Sequence, residues 1–165
     1  MPIRKTDKGW FWGSKGPFDT KAQAASVARA AYAHGYKEEA MNTKPIAEFI
    51  GTLLHSATIT HFMHLQAEGE GSYATHKALA AYYDGIVEAV DAVAESIQGA
   101  YDIIIADYPN AFANVGSTPL EYMTSLRAYV RNTRAALPQD SEIQNEVDNI
   151  ANLINSTCYK LRRLR

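Results

Sequence analysis

The stretch THFMHLQAEGEGSYATH, residues 60–76, holds three of the chain's five histidines and joins two long helical patterns. Before it, apolar residues recur at steps of three and four, which predicts an amphipathic helix over residues 43–64. Inside it, EGEG at 68–71 interrupts the pattern and predicts a turn. A second amphipathic helix is predicted over residues 72–98, so the stretch predicts a helical hairpin with histidines on both sides of its turn.

Each predicted helix has one apolar face that we expect to be buried. In the first helix that face ends with His61 and His64, so both histidines are predicted on the buried side. In the second helix the predicted core positions are Leu79, Tyr83, Ile86, Val90, Val93 and Ile97.

The rest of the chain predicts two further helices after a long connection at 101–117. Thr118, Pro119 and Glu121 form a capping-box pattern that begins a helix ending at Leu137. Ser141 starts a second pattern of this kind and a fourth helix. One long crossover lets the second and third helices run parallel, which is the connectivity of ferritin-like four-helix bundles. The fold class predicted for residues 44–165 is therefore all-α and ferritin-like.

Residues 1–38 predict a small separate module of ββα type. The alternating WFW at 10–12 and the turn signal GSKGP at 13–17 predict a short hairpin. A helix follows, capped by Asp19 or Thr20 and ended by Gly35. The tryptophans either form the core of this module or contact a partner.

The bulk composition excludes several classes of protein. The net charge of −2 gives no overall preference for nucleic acid, although the basic C-terminus, KLRRLR at 160–165, suits either the helix dipole or a weak DNA contact. Cys158 is the single cysteine, so no internal disulfide forms and a reducing compartment is expected. No signal peptide and no membrane span are predicted.

Acidic residues repeat along the second helix at Asp84, Glu88, Asp91 and Glu95, which taken alone predicts a solvated face. Together with histidines they suit an ion such as Fe(II) or Zn(II). His76 and Asp91 are separated by about 22 Å along one helix, so one subunit cannot place both on one ion. A symmetric, antiparallel neighbour can, which predicts a homo-oligomer with a site between subunits.

These spacings resemble those of the Dps miniferritins. His64 and His76 are twelve residues apart, and Asp91 and Glu95 follow His76 by fifteen and nineteen, as in that family. The resemblance covers about residues 44–165. It implies an iron site across a two-fold axis, with His64 and His76 from one subunit and Asp91 and Glu95 from the other.

The sequence departs from the miniferritin pattern at three positions. Ala80 stands where the family usually has an acidic ligand, Leu65 where it has Trp, and Ser96 where it has Arg. A missing carboxylate weakens metal binding, so at most a weak ferroxidase is expected, with Asp84 as an auxiliary ligand. The alternative is a bundle whose histidines are only hydrogen-bonded.

The first residues carry a second resemblance. GWFWGSKGPFDTKAQAASVARAAYAHGYKE, residues 9–38, is similar to a module that recurs in tailed-bacteriophage proteins. The whole chain resembles a group of phage proteins with a ferritin-like body. This implies a place in the host cytoplasm or the virion, and phage structural proteins as partners of the module. The alternative function is accordingly a virion or assembly protein that uses the bundle only to oligomerise.

Overall fold

The computed structural model describes residues 3–35, 41–109 and 118–164. Two compact units divide the chain, Met1–Met41 and Asn42–Arg165. The structure is mostly helical, with a small antiparallel sheet at its beginning. The predicted long connection at 101–117 lies partly outside the described residues. None of the described helices is long and apolar enough to cross a membrane.

The first unit contains three strands where the sequence predicted two. β1 (Ile3–Thr6), β2 (Gly9–Trp12) and β3 (Lys15–Phe18) pair antiparallel in that order. The ββα prediction was short by one strand because β1 has no apolar alternation and is exposed beyond Ile3. Pairing with β2 makes it a strand, and periodicity cannot reveal that.

Helix α1 (Lys21–Ala33) covers one face of this sheet. Thr20 caps it in a full capping box with Gln23, which confirms one of the two predicted caps. Trp12 is 2% exposed and its ring lies edge-on to Tyr32 of α1. Trp12 is therefore part of the core of this unit.

The second unit consists of four long helices and one turn of 3₁₀ helix. Helix α3 continues past the predicted end at Gln98, since Gly99 is exposed and tolerated within the helix, and Asp102 ends it in a left-handed conformation. The bounds are α2 Lys44–Leu65, α3 Ser72–Tyr101, α4 Pro119–Thr133, 3₁₀ Arg134–Ala136 and α5 Ser141–Arg163.

The two capping predictions of this unit have opposite outcomes. The box of Thr118 and Glu121 at the start of α4 is confirmed. The predicted box at α5 is wrong, because Asp140 is the N-cap and makes no side-chain cap bond. The side chain of Gln144 instead donates to the carbonyl of Pro138 and accepts from Arg134, so a tertiary contact replaces the local one.

The four helices pack as neighbours in the order α2, α3, α5, α4, and α4 also contacts α2. Met63 near the end of α2 lines the same cavity as Thr118 at the start of α4. Tyr129, late in α4, donates a hydrogen bond to the carbonyl of Glu48, early in α2. Helix α4 is therefore antiparallel to α2 and parallel to α3, as a long crossover between α3 and α4 requires.

The core of the second unit is mostly apolar, and on α3 two neighbouring tyrosines exchange places relative to the predicted core face. Tyr82 is fully buried, and Tyr83, which was predicted in the core, is only half-buried. The buried positions of α3 follow the steps 79, 82, 86, 90, 93 and 97, which favour Tyr82. This exchange leaves the Tyr83 ring available to pack beside the histidines.

Candidate metal centre

The α2–α3 hairpin places two histidine rings face to face. His64 lies one residue before the end of α2 and His76 lies in the first turns of α3, on the two sides of a tight turn. Gly69 and Gly71 in that turn have positive φ values of 79° and 76°, which favour glycine. The ring centroids of His64 and His76 are 3.5 Å apart, and the ring planes differ by 27°.

The two histidines are held by reciprocal hydrogen bonds to backbone carbonyls. Nδ1 of His64 lies 2.9 Å from the carbonyl oxygen of His76, and Nδ1 of His76 lies 3.3 Å from that of His64. A carbonyl only accepts, so each Nδ1 carries the proton and donates it. In the neutral rings each Nε2 then keeps a lone pair, which is the form in which imidazole binds a metal.

A histidine that binds a metal through one ring nitrogen usually donates the N–H of its other ring nitrogen to a carbonyl or carboxylate oxygen. Such a bond determines the tautomer and the ring orientation before any metal arrives. His64 is 8% exposed, whereas His76 is exposed to solvent. The pair is therefore oriented by the hairpin and accessible from one side.

The prediction that His61 lies on the buried side is wrong. His61 is exposed, because it lies about 100° around the helix from the buried Thr60. Its ring stacks on Tyr83 with centroids 4.3 Å apart, and Tyr83 meets the His64 ring edge-on at 5.2 Å. The hairpin thus has a continuous cluster of three imidazoles and one phenol, of which the sequence spacing predicted only the pair of His64 and His76.

The predicted acidic ligands lie on the same helix as His76 but far from it. Asp91 and Glu95 are exposed, as are Asp84 and Glu88. Fifteen residues of continuous α3 separate His76 from Asp91, which corresponds to about 22 Å. Among residues 3–35, 41–109 and 118–164, no three His, Cys, Asp or Glu side chains of one chain are grouped to hold a metal ion.

A family model matches residues 64–161, from the end of α2 to the last turns of α5. The match covers more than half of the chain. The chain belongs to DUF5856, a family of unknown function. The matched segment includes all four predicted ligands and excludes the sheet and α1. Comparison with curated proteins and with solved structures finds no match.

Within this DUF5856 chain, the buried hydroxyl groups of Ser56 and Tyr82 link α2 to α3. The Ser56 hydroxyl donates to the carbonyl of Leu53 at 2.5 Å, so the hydroxyl of Tyr82, 2.7 Å away, donates to Ser56. Burial raises the pKa of Tyr82 well above its usual value, so this phenol stays protonated. The pair opposes sliding of α2 along α3, because a buried hydroxyl without a partner is costly.

The α2–α3 hairpin also exposes several apolar side chains. Phe62 is 51% exposed, Leu65 70%, Tyr73 74% and Val87 42%. Single exposed apolar residues are ordinary, but several on one hairpin favour contact with another protein surface. The departures from the miniferritin pattern belong to the same hairpin, with Leu65 exposed and Ala80 half-buried.

Proposed function

We propose that this protein is a ferritin-like oligomer that binds a transition metal between two subunits. His64 and His76 of one chain and Asp91 and Glu95 of its mate are the proposed ligands. The observation that carries the proposal is the reciprocal pair of hydrogen bonds, which leaves both Nε2 atoms as acceptors. The alternative of histidines that are only hydrogen-bonded has the same two contacts, and the metal content of the protein distinguishes the two.

The separation of the ligands along α3 is the reason for a second subunit. An antiparallel copy related by a two-fold axis brings the acidic end of its α3 beside the histidine end of the first. The midpoint between His76 and Asp91 falls at Tyr83 and Asp84, so the axis would pass close to these residues. The exposed Val87 would then lie in the contact.

The direction of the helices supports the ferritin-like part of the proposal. Helices α3 and α4 are parallel, as a single long crossover between the second and third helices of a four-helix bundle requires. Pro109 of that crossover packs against Gly51, where a Cβ atom would come within 2.6 Å of the proline ring. After the end of α3, the first part of the crossover therefore runs beside α2.

Two imidazoles with two carboxylates suit Fe(II) or Zn(II), and iron is the favoured ion from the miniferritin resemblance. Bound iron would supply electron transfer to peroxide or oxygen. The chain's own part is to hold the imidazoles in one tautomer and to provide negative charge from Asp91 and Glu95. Because Ala80 replaces an acidic ligand, we expect binding with little or no oxidation of iron.

Metal content of the purified protein tests this proposal. We expect His76→Ala and Asp91→Asn to lose bound metal to a similar extent, because both residues are exposed and both belong to one site. His34→Ala and Glu142→Gln are the matched controls, since they remove an exposed histidine and an exposed carboxylate elsewhere. Full metal content in His76→Ala, or equal loss in the controls, would contradict the proposal.

An assembly role without metal chemistry is the second candidate, and the exposed apolar side chains of the hairpin favour it. Both candidates require oligomers through the hairpin, so Val87→Lys should reduce the mass measured by light scattering. Tyr159→Lys is the control, since Tyr159 is 61% exposed on α5. Oligomers that depend on Val87 but contain no metal would favour a virion or assembly protein.

A further inference from the structure

The first unit carries a charge opposite to that of the second. Residues 1–41 contain seven basic and four acidic side chains, whereas residues 42–165 contain nine basic and fourteen acidic ones. A positively charged unit on an otherwise acidic chain is typical of a surface that binds a polyanion. The net charge of the whole chain conceals this division.

The two faces of the small sheet have different roles. Trp12 lies on the face covered by α1, so the neighbouring Phe11 lies on the opposite face. Arg4 of β1 is the direct cross-strand partner of Phe11, which places both side chains on that open face.

A shallow depression of about 290 Å³ occupies the open face of the sheet. It is lined by Arg4, Thr6, Asp7, Lys8 and Phe11. The Phe11 ring packs on the bare backbone of β3, where a Cβ atom at Gly16 would come within 2.7 Å of the ring. The floor is therefore an aromatic ring on a rigid support, and its rim has two cations and one carboxylate.

We propose that this depression binds single-stranded nucleic acid, independently of the metal function. An unpaired base would stack on Phe11, and Arg4 and Lys8 would contact the flanking phosphates. An aromatic ring on an open sheet face, with basic side chains beside it, suits bases that are free to stack. A duplex hides the faces of its bases, so this surface favours single strands. Asp7 opposes the phosphates and limits the affinity.

The test uses the full chain and short fluorescein-labelled oligothymidine and oligouridine, with fluorescence anisotropy measured over a series of salt concentrations. Arg4→Ala/Lys8→Ala should weaken binding and reduce the slope of log affinity against log salt by about 1.4, since each lost phosphate contact contributes about 0.7. The matched control is Arg162→Ala/Arg163→Ala, which removes two charges from the basic C-terminus and should leave affinity and slope unchanged.

Two further variants separate stacking from charge. Phe11→Leu keeps an apolar side chain over Gly16 but removes the ring, so affinity should fall about tenfold with no change in slope. Asp7→Asn removes the one carboxylate of the rim and should tighten binding. The combined emission of Trp10 and Trp12, the two tryptophans of the chain, reports in each variant that the first unit remains folded.

Three results would overturn the proposal. One is a salt slope that Arg4→Ala/Lys8→Ala does not change. Another is loss of binding in the C-terminal control, which would place the contact on α5. The third is equal or tighter binding of a duplex of the same length.

Discussion

If the metal site is shared between subunits, mixing two variants that each fail to bind metal should restore metal binding. One variant is His64→Gln/His76→Gln, in which amide N–H groups can still donate to the two carbonyls. The other is Asp91→Asn/Glu95→Gln, which changes exposed side chains only. Each variant alone lacks half of every site, so neither homo-oligomer should bind metal tightly.

The recovery can be worked out from the two-fold arrangement. When the variants are mixed in equal amounts and exchange freely, about half of the two-fold contacts join one chain of each kind. In such a contact one site receives histidines and acids that are both intact, while the other receives neither. About one quarter of the wild-type metal should therefore return, whatever the number of subunits in the complete particle.

The assay is the metal content per chain after co-refolding and removal of free metal, with each variant refolded alone as the control. Light scattering must show the wild-type assembly in all three samples. If the mixture binds no more metal than its components while the assembly is intact, the shared site is refuted. Tight binding by either variant alone would refute it as well.

Three predictions concern stability, each measured by urea unfolding. Ser56→Ala should cost about 1–3 kcal/mol because it leaves the buried Tyr82 hydroxyl without its acceptor, while Tyr82→Phe should cost only about 1 kcal/mol and the double variant little more than that. Hydrogen bonds from the backbone and side chain of Thr118 lower the pKa of Glu121, so the stabilisation by this cap is present above pH 4.5 and is lost as the pH falls. In Glu121→Gln the free energy of unfolding should therefore decrease less as the pH falls below 4.5. Burial raises the pKa of Tyr122 to about 12, so stability should fall from pH 10 to 12 and fall less steeply in Tyr122→Phe.

Local signals predicted most of the helices. The capping boxes at Thr20 and Thr118 form because cap and helix lie within three residues of each other, so no distant part of the chain has to agree. The apolar periodicity of α3 identified most of its buried positions for a similar reason, since it reports one face of one helix.

The structural predictions failed where a contact with a residue distant in sequence determines the local structure. Strand β1 exists because β2 pairs with it, and the side chain of Gln144 contacts Arg134 and Pro138 instead of capping α5. Tyr82 takes the core position beside Ser56, and Tyr83 turns toward His61. In each case a contact between distant parts of the chain determines the outcome, and the periodicity of the sequence does not report such contacts.

The candidate site divides in the same way. The spacing of His64 and His76 across a glycine-containing turn already determined that the two residues would be near each other, because a tight hairpin leaves them no other place. Only the tertiary structure decided that each ring donates from Nδ1 to the other's carbonyl, and that Tyr83 and His61 extend the cluster. Ring orientation depends on the approach of α2 to α3 to within tenths of an ångström, and that approach results from the packing of the whole core and not from any local pattern of residues.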